Sequence, residues 1–200
     1  MKKIAILVIA STSTPLYVHY IKNYWAEVIR YTKTFTPHID VFLLFEGKFD
    51  LSEYAALADN IIQDPTTDFD HLCAAESQTY AIPGILSKTI YALDALKDSY
   101  DVFFRTNLSS LIRLPYFDHF VQSKPTISYS GQLTRPDSLR AHMLANSKIG
   151  LDQNVKSLDE LEPYPGNTFV SGSGFFLSSL EVTSLLEQKQ RIRYDIIDDV

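Results

Sequence analysis

A polar cluster follows a run of apolar residues near the middle of the chain. The sequence VFF at 102–104 is typical of a buried strand, and polar residues follow it at once. Parallel α/β sheets bind their ligands beyond the carboxyl ends of their strands. The pattern therefore predicts that Arg105, Asn107 and Ser109 face a ligand. The alternative is a capped turn that leads from a strand into a helix.

Two carboxylates stand side by side near the end of the sequence. Asp198 and Asp199 follow two isoleucines, and such a pair at the end of a strand can act as a general base or bind a cation. A solvated acidic turn is the alternative. A spaced pair, Asp68 and Asp70, follows polar residues instead of an apolar strand, so we predict a loop or the start of a helix there.

Two segments of small residues also follow or interrupt apolar runs. Ser11 and Thr12 belong to the sequence ASTSTP, whose hydroxyl and backbone N–H groups either line a nucleotide pocket or cap a helix. Gly172 and Gly174 flank Ser173 in SGSGFFLS. Glycine within a strand indicates either a bulge or the close approach of another molecule.

Strand and helix patterns alternate along the first half of the chain, which predicts an α/β fold with an open parallel sheet. The opening sequence MKKIAILVIAS fits a buried strand better than a signal peptide. Residues 130–166 are polar and rich in Pro and Gly, so we predict a functional excursion on the acceptor side. The predicted strands are 4–10, 39–47, 60–65, 100–106, 125–131 and 167–179, and the predicted helices are 15–33, 83–99 and 180–190.

The composition favours one ordinary globular domain and argues against some partners. Of the 200 residues, 46% are hydrophobic and 21% are charged, and the net charge of −6 gives no support to a nucleic-acid partner. Cys73 is the only cysteine, which rules out an internal disulfide and a cysteine-built zinc site and fits a cytoplasmic location. No apolar run approaches the roughly 20 residues of a transmembrane segment.

The order of four motifs resembles that of GT-A-fold glycosyltransferases. In the Fringe-like and galactosyltransferase-type enzymes, a K-T pair on a helix precedes a strand that ends in K-T-D-D-D, and S-G-G-G-Y-x-L-S and E-D-V follow. Here the matching residues are Lys88-Thr89, Arg105-Thr106, the segment 171–178 and Asp198-Asp199-Val200. PGILSKTI and FRTNLSS are also similar to glycosyltransferase domains of large algal viruses such as chloroviruses. The resemblance covers residues 75–200.

The resemblance implies a mixed, mainly parallel sheet of GT-A type with helices on both faces. It implies a hexosyltransferase that moves a sugar from a nucleotide-diphosphate donor, foremost a UDP-sugar, to a hydroxyl of a glycan or glycoprotein. The implied contacts are Ser11, Thr12 and Asp64 for the nucleoside, Arg105, Asn107 and Ser109 for the diphosphate and sugar, Lys88 for the donor, and Ser173 and Gly174 for the sugar or acceptor.

One departure from the family concerns the metal. The family's D-x-D, which holds Mn²⁺ or Mg²⁺ against the diphosphate, falls on the triplet 107–109, which reads Asn-Leu-Ser. Either Asn107 holds the metal loosely with Asp198, or Arg105 and backbone N–H groups neutralise the charge instead. Asp199, with Asp198 second, is the implied general base if the anomeric configuration inverts. If the configuration is retained, the carboxylate only positions the acceptor.

Two other functions remain open. A sugar-phosphate nucleotidyltransferase would use a similar sheet, but ASTSTP lacks the glycine-rich, Lys- or Arg-bearing loop expected after its first strand. A non-catalytic domain that binds carbohydrate or a nucleotide-sugar is consistent with the neutral triplet. We expect residues 1–200 to form a single domain, cut from the N-terminal part of a longer protein.

Overall fold

The computed structural model describes residues 1–12, 14–47, 50–65, 83–134 and 169–191. They contain six strands, and these occur along the chain in the predicted order. The strands are β1 (Ile4–Ile9), β2 (Ile39–Glu46), β3 (Ile61–Asp64), β4 (Val102–Asn107), β5 (Ser130–Thr134) and β6 (Phe169–Ser178).

Helices connect these strands. Within the described ranges, no helix is both long enough and apolar enough to cross a membrane. The helices are α1 (Pro15–His19), a π-helix (Tyr20–Trp25), α2 (Ala26–Phe35), a 3-10 helix (Ser52–Asn60), α3 (Pro83–Leu96), α4 (Leu114–Ser123), α5 (Ser179–Glu187) and a short 3-10 helix (Lys189–Arg191).

The six strands form one mixed sheet in the order β3-β2-β1-β4-β6-β5. The pairs β3–β2, β2–β1 and β1–β4 are parallel, whereas β4–β6 and β6–β5 are antiparallel. The prediction of an α/β fold with a mixed, mainly parallel sheet is therefore confirmed. The chain leaves β1 towards β2 and β3 and then returns to β4 on the other side of β1. The boundary between β1 and β4 is thus a topological switch point, where open α/β sheets bind ligands.

Apolar side chains cover both faces of the sheet. Successive side chains of a strand point to opposite faces, and all six residues of β1 are fully buried. On the face that we call the α2 face, Ile4 and Val8 pack in one cluster with Trp25. On the opposite face, the α3 face, Leu7 packs in a second cluster with Leu93. Helices therefore lie on both faces, as predicted.

The predicted helix at 15–33 is interrupted by the π-helix, and two further segments differ from the prediction. The strand expected at 125–131 forms only at 130–134, because Pro125 has no backbone N–H to donate and Ile127 is buried outside the ladder. Helix α4 was not predicted at all. Pro115 interrupts the sequence pattern, yet proline is favoured in the first turn of a helix, and that is where it lies in α4.

Candidate functional site

Three charged side chains are buried within the described ranges: Asp64, Lys88 and Arg105. All three lie on the α3 face. Asp64 and Arg105 each lie two residues after a strand residue that packs in the α3-face cluster, so their side chains point to that same face. Lys88 belongs to α3 itself. Buried charges are rare and are retained where they are compensated, so the three on one face of the sheet mark this edge as the candidate site.

Lys88 reaches the carboxyl end of β1. Its side chain is 1% exposed, and Nζ lies 3.4 Å from the carbonyl oxygen of Ala10, the residue after β1. The neighbouring Thr89 instead donates its hydroxyl to the carbonyl of Ile85, one turn earlier in α3. Of the Lys-Thr pair, Lys88 therefore carries its charge to the edge of the sheet, and Thr89 stays within its own helix.

Arg105 lies beside the switch point, near the carboxyl end of β4. It is paired in register with Leu7 of β1 on one side and with Phe175 of β6 on the other. The guanidinium carbon lies 5.7 Å from the centroid of the Phe175 ring, an arrangement that favours a cation over an aromatic face. Only 3% of the residue is exposed, so its charge acts in a poorly solvated environment, where electrostatic interactions are strong.

Asp64 ends β3 at the same edge of the sheet. Its carboxylate Oδ2 accepts a hydrogen bond of 2.5 Å from the hydroxyl of Ser87, the residue before Lys88 on α3. The residue is 1% exposed. Ser87 was missed by the sequence analysis, because a serine within a helical pattern does not reveal which strand it contacts.

Gly47 holds the end of β3 close to the end of β2. A Cβ atom at this position would lie 2.6 Å from the Cα of Pro65 and 2.7 Å from the carbonyl oxygen of Asp64. Both contacts are with backbone, which cannot rotate away. Gly174 is also crowded, but there the nearest atom is Cζ of the Phe104 side chain at 2.9 Å.

We expect Gly47→Ala to destabilise the fold by about 1–3 kcal/mol, because the added methyl group must push the backbone of β3 aside. Gly174→Ala is the matched comparison and should cost less, since the Phe104 ring can shift. Urea unfolding of both variants measures the difference. Equal stability of Gly47→Ala and the parent would show that β2 and β3 do not approach each other so closely.

The triplet 107–109 forms a turn with its middle residue in the core. Asn107 ends β4 and accepts, through its carbonyl oxygen, a 3.0 Å hydrogen bond from the Ser110 N–H. Leu108 is 2% exposed, whereas Asn107 is half-buried and Ser109 is exposed. Helix α4 begins only at Leu114 and has no side-chain cap. The alternative of a capped turn that leads from a strand into a helix is therefore not what the structure shows for α4.

The Ser and Thr residues that follow β1 have two different roles. Thr14 caps α1, with its Oγ1 accepting a 3.2 Å hydrogen bond from the Tyr17 N–H. The capping interpretation thus holds for Thr14. Ser11 is fully buried and Thr12 is half-buried. In register, Ser11 lies two residues beyond Ile9, which pairs with Asn107 of β4, so Ser11 belongs to the edge at the switch point.

The glycine segment belongs to β6 and contains an irregularity. Gly131 of β5 pairs with Phe175, but Leu133 pairs with Val170, so residues 171–174 of β6 lie opposite Gln132 alone. This bears out the bulge interpretation. On its other side, Gly174 pairs with Thr106 of β4. The backbone of Ser173 lies in this bulge, and its side chain lies outside what the structure describes.

Several predicted residues lie outside the described ranges. Among them are Asp198 and Asp199, the pair Asp68 and Asp70, and Cys73. Of the predicted excursion at 130–166, only the residues of β5 are described. Their roles stay predictions.

The described residues do not supply a complete metal site. Among them, no group of three or more His, Cys, Asp and Glu side chains could hold a metal ion. Asn107, the predicted metal ligand, would offer a neutral amide oxygen. A divalent cation at the edge would need carboxylates from other parts of the chain.

A concavity lies away from this edge, on the α2 side of the molecule. It has a volume of about 770 Å³ and runs between α2 and the start of α4, with the aromatic side chains of Tyr24, Tyr31, Phe35 and Tyr116 along its walls. None of the predicted site residues lines it.

The fold and the site together define an α/β protein with two buried cations near the switch point of its sheet and a buried carboxylate on β3, at the same carboxyl edge. No family model matches the chain, and no curated protein matches it significantly.

Proposed function

We propose that this chain is a glycosyltransferase of GT-A type, which moves a sugar from a nucleotide-diphosphate donor to a hydroxyl of a glycan or glycoprotein. The donor is foremost a UDP-sugar. The observation that carries the proposal is the placement of Lys88 and Arg105, both buried, on one face of the sheet at its switch point. A diphosphate is the ligand group whose charge matches two such cations.

The positions of the other polar residues support the same ligand. Ser11, Asp64 and Asn107 lie at the carboxyl ends of three strands of the parallel part of the sheet. Neighbouring strands are about 4.8 Å apart, so Asp64 on β3 lies roughly 10 Å from β1. A nucleoside that extends from β1 towards β3 would place its diphosphate beside Arg105 and Lys88. Ser11 and Asp64 would then contact the nucleoside, with Thr12 beside Ser11.

The proposed reaction breaks one bond and forms another at the anomeric carbon. The acceptor oxygen forms a bond to this carbon, the bond from the carbon to the diphosphate oxygen breaks, and the nucleoside diphosphate leaves with the electron pair. The acceptor proton passes to a base, for which Asp199 is the proposal if the configuration inverts. Negative charge grows on the leaving diphosphate, and Arg105 and Lys88 would stabilise it.

We derive no step through a metal ion, because the described residues do not form a donor set for one. If Mn²⁺ or Mg²⁺ takes part, we expect its carboxylate ligand to be Asp198 or Asp199 and not Asp68 or Asp70. Asn107 would add a neutral oxygen.

A second candidate function is a domain that binds a nucleotide-sugar without turning it over. The specific observation in its favour is the neutral triplet 107–109, in which Leu108 is buried and Ser109 carries no charge. Such a domain would keep the two cations and bind the donor equally well.

Donor binding and turnover together test the proposal. Isothermal titration with UDP-, GDP- and ADP-sugars, with and without Mn²⁺, measures binding, and mass spectrometry of the same mixtures measures release of the nucleoside diphosphate. We expect one nucleotide-sugar to bind and to be hydrolysed slowly without an acceptor. Binding without any turnover, in the presence of an acceptor panel, would favour the second candidate. Absence of binding to every nucleotide-sugar would contradict both.

A further inference from the structure

Two adjacent aromatic residues form hydrogen bonds to the backbone of the segment that follows β4. Trp25 donates from its indole Nε1 to the carbonyl oxygen of Leu108 over 2.8 Å, and this contact is buried. Tyr24 accepts a 2.6 Å hydrogen bond from the Ile112 N–H at its hydroxyl oxygen, and its Oη lies 3.3 Å from the Ile112 carbonyl oxygen. The two anchors fix both ends of the 108–112 segment.

The π-helix explains how neighbouring residues reach the same segment. In a regular α-helix, consecutive side chains point in well-separated directions around the axis. The π-helix at Tyr20–Trp25 widens the turn, so that consecutive side chains diverge less. The Tyr24 and Trp25 rings meet edge to face, with centroids 5.1 Å apart. π-helical turns are rare, occur mostly as single-turn bulges within α-helices and are frequently found at functional sites.

We infer that Tyr24 and Trp25 are positioning residues, which fix the conformation of the 108–112 segment and so orient Asn107 and Ser109 towards a bound anion. This inference rests on the proposed function for the identity of the anion, a nucleoside diphosphate. Leu108 connects the contact of Trp25 to the positions of Asn107 and Ser109. Its side chain packs in the same cluster as Trp25, and its carbonyl oxygen accepts the indole N–H. The residues on either side of Leu108 are thereby left at the surface of the edge.

The experiment removes each hydrogen bond separately. Trp25→Phe removes the indole donor, and Tyr24→Phe removes the hydroxyl that bonds to Ile112. Tyr20→Phe is the matched control, because Tyr20 belongs to the same π-helix and has no hydrogen bond to residues 107–112 among those described. Amide hydrogen exchange of the full chain without ligand is the first measurement, and the KM and kcat for the donor are the second.

We expect exchange of the amides at 108–112 to rise about tenfold in Trp25→Phe and Tyr24→Phe, with no change in Tyr20→Phe. Exchange in β1 and β2 should stay as in the parent. The donor KM should rise about tenfold in the first two variants, with kcat changed less than about threefold. A purely structural role would instead raise exchange across the core and would leave the KM unchanged.

Unchanged exchange at 108–112 in both variants would overturn the inference, and so would a rise spread evenly over β1, β2 and the segment. If the parent protein turned over no nucleotide-sugar, the proposed function would be wrong, but the exchange measurement could still be made. In that case, the exchange data alone decide whether the two aromatic residues fix the segment.

Discussion

Replacement of Arg105 by methionine is expected to lower donor turnover about 10²- to 10³-fold, which is the usual cost of removing one well-placed group that meets developing charge. Arg105 is buried beside the switch point, and its guanidinium lies over the Phe175 ring. Methionine keeps an unbranched, flexible side chain against that ring and removes only the charge and the donors. We therefore expect the fold to persist, as circular dichroism and thermal unfolding can verify.

Arg113→Gln is the matched control for this prediction. Arg113 is an exposed arginine that follows the same turn, and its removal should leave turnover within about twofold of the parent. Turnover should be measured across a Mn²⁺ series, with Asn107→Ala included. If Arg105→Met were as active as the parent and Asn107→Ala abolished the response to Mn²⁺, Asn107 would hold the metal and our assignment of charge neutralisation would be wrong.

Replacement of Lys88 by methionine should separate binding from stability. A charge-assisted hydrogen bond contributes about 1.5–3 kcal/mol, so loss of the Lys88 ammonium should weaken UDP binding about 10- to 100-fold. Methionine is similar in length and apolar, so the substitution removes the cost of burying an ammonium and leaves no cavity behind. We therefore expect weaker binding by isothermal titration without a fall in the free energy of unfolding.

The opposite result would assign Lys88 a structural role. If Lys88 served only to balance Asp64, its loss would leave an uncompensated buried carboxylate and would cost about 3–5 kcal/mol of stability. UDP binding would then be unchanged in the variant that still folds. Lys97→Met is the control, because Lys97 lies just after α3 and pairs with Asp94 at the surface over 2.8 Å, where such pairs contribute little.

The sequence predicted the sheet well where burial dictates the pattern. All six residues of β1 are buried on both faces of a parallel sheet, so they form one continuous apolar run, and the same reasoning located β2 and β4. Helix α4 was missed because Pro115 interrupts the sequence pattern, although Leu114, Phe117 and Val121 pack in the α2-face cluster with the i, i+3, i+7 spacing of a helical face. β5 was displaced because its strand pairing depends on β6, a distant segment.

The site was predicted in part for a similar reason. Arg105 was predicted because it directly follows an apolar run, whereas Lys88 was indicated only by the resemblance to the glycosyltransferase motifs. The sequence does not reveal that Arg105 and Lys88 lie on the same face of the sheet, because this depends on the register of β4 against β1 and on the packing of α3. Ser87 could not be found, because its partner Asp64 lies 23 residues earlier in the chain. The bond from Trp25 to Leu108 could not be found either, because it spans 83 residues and depends on a π-helix that no pattern indicated.

The central claim is that a nucleoside diphosphate binds at the carboxyl edge of the sheet, across the switch point between β1 and β4. Titration of the ¹⁵N-labelled chain with UDP, followed by amide chemical shifts, tests this claim most directly. We predict saturable shifts at residues 10–12, 64 and 107–110, with none at the opposite edge, where Tyr100 donates a 2.8 Å hydrogen bond to Asp40. Shifts confined to the opposite edge, or to the groove between α2 and α4, would contradict the account.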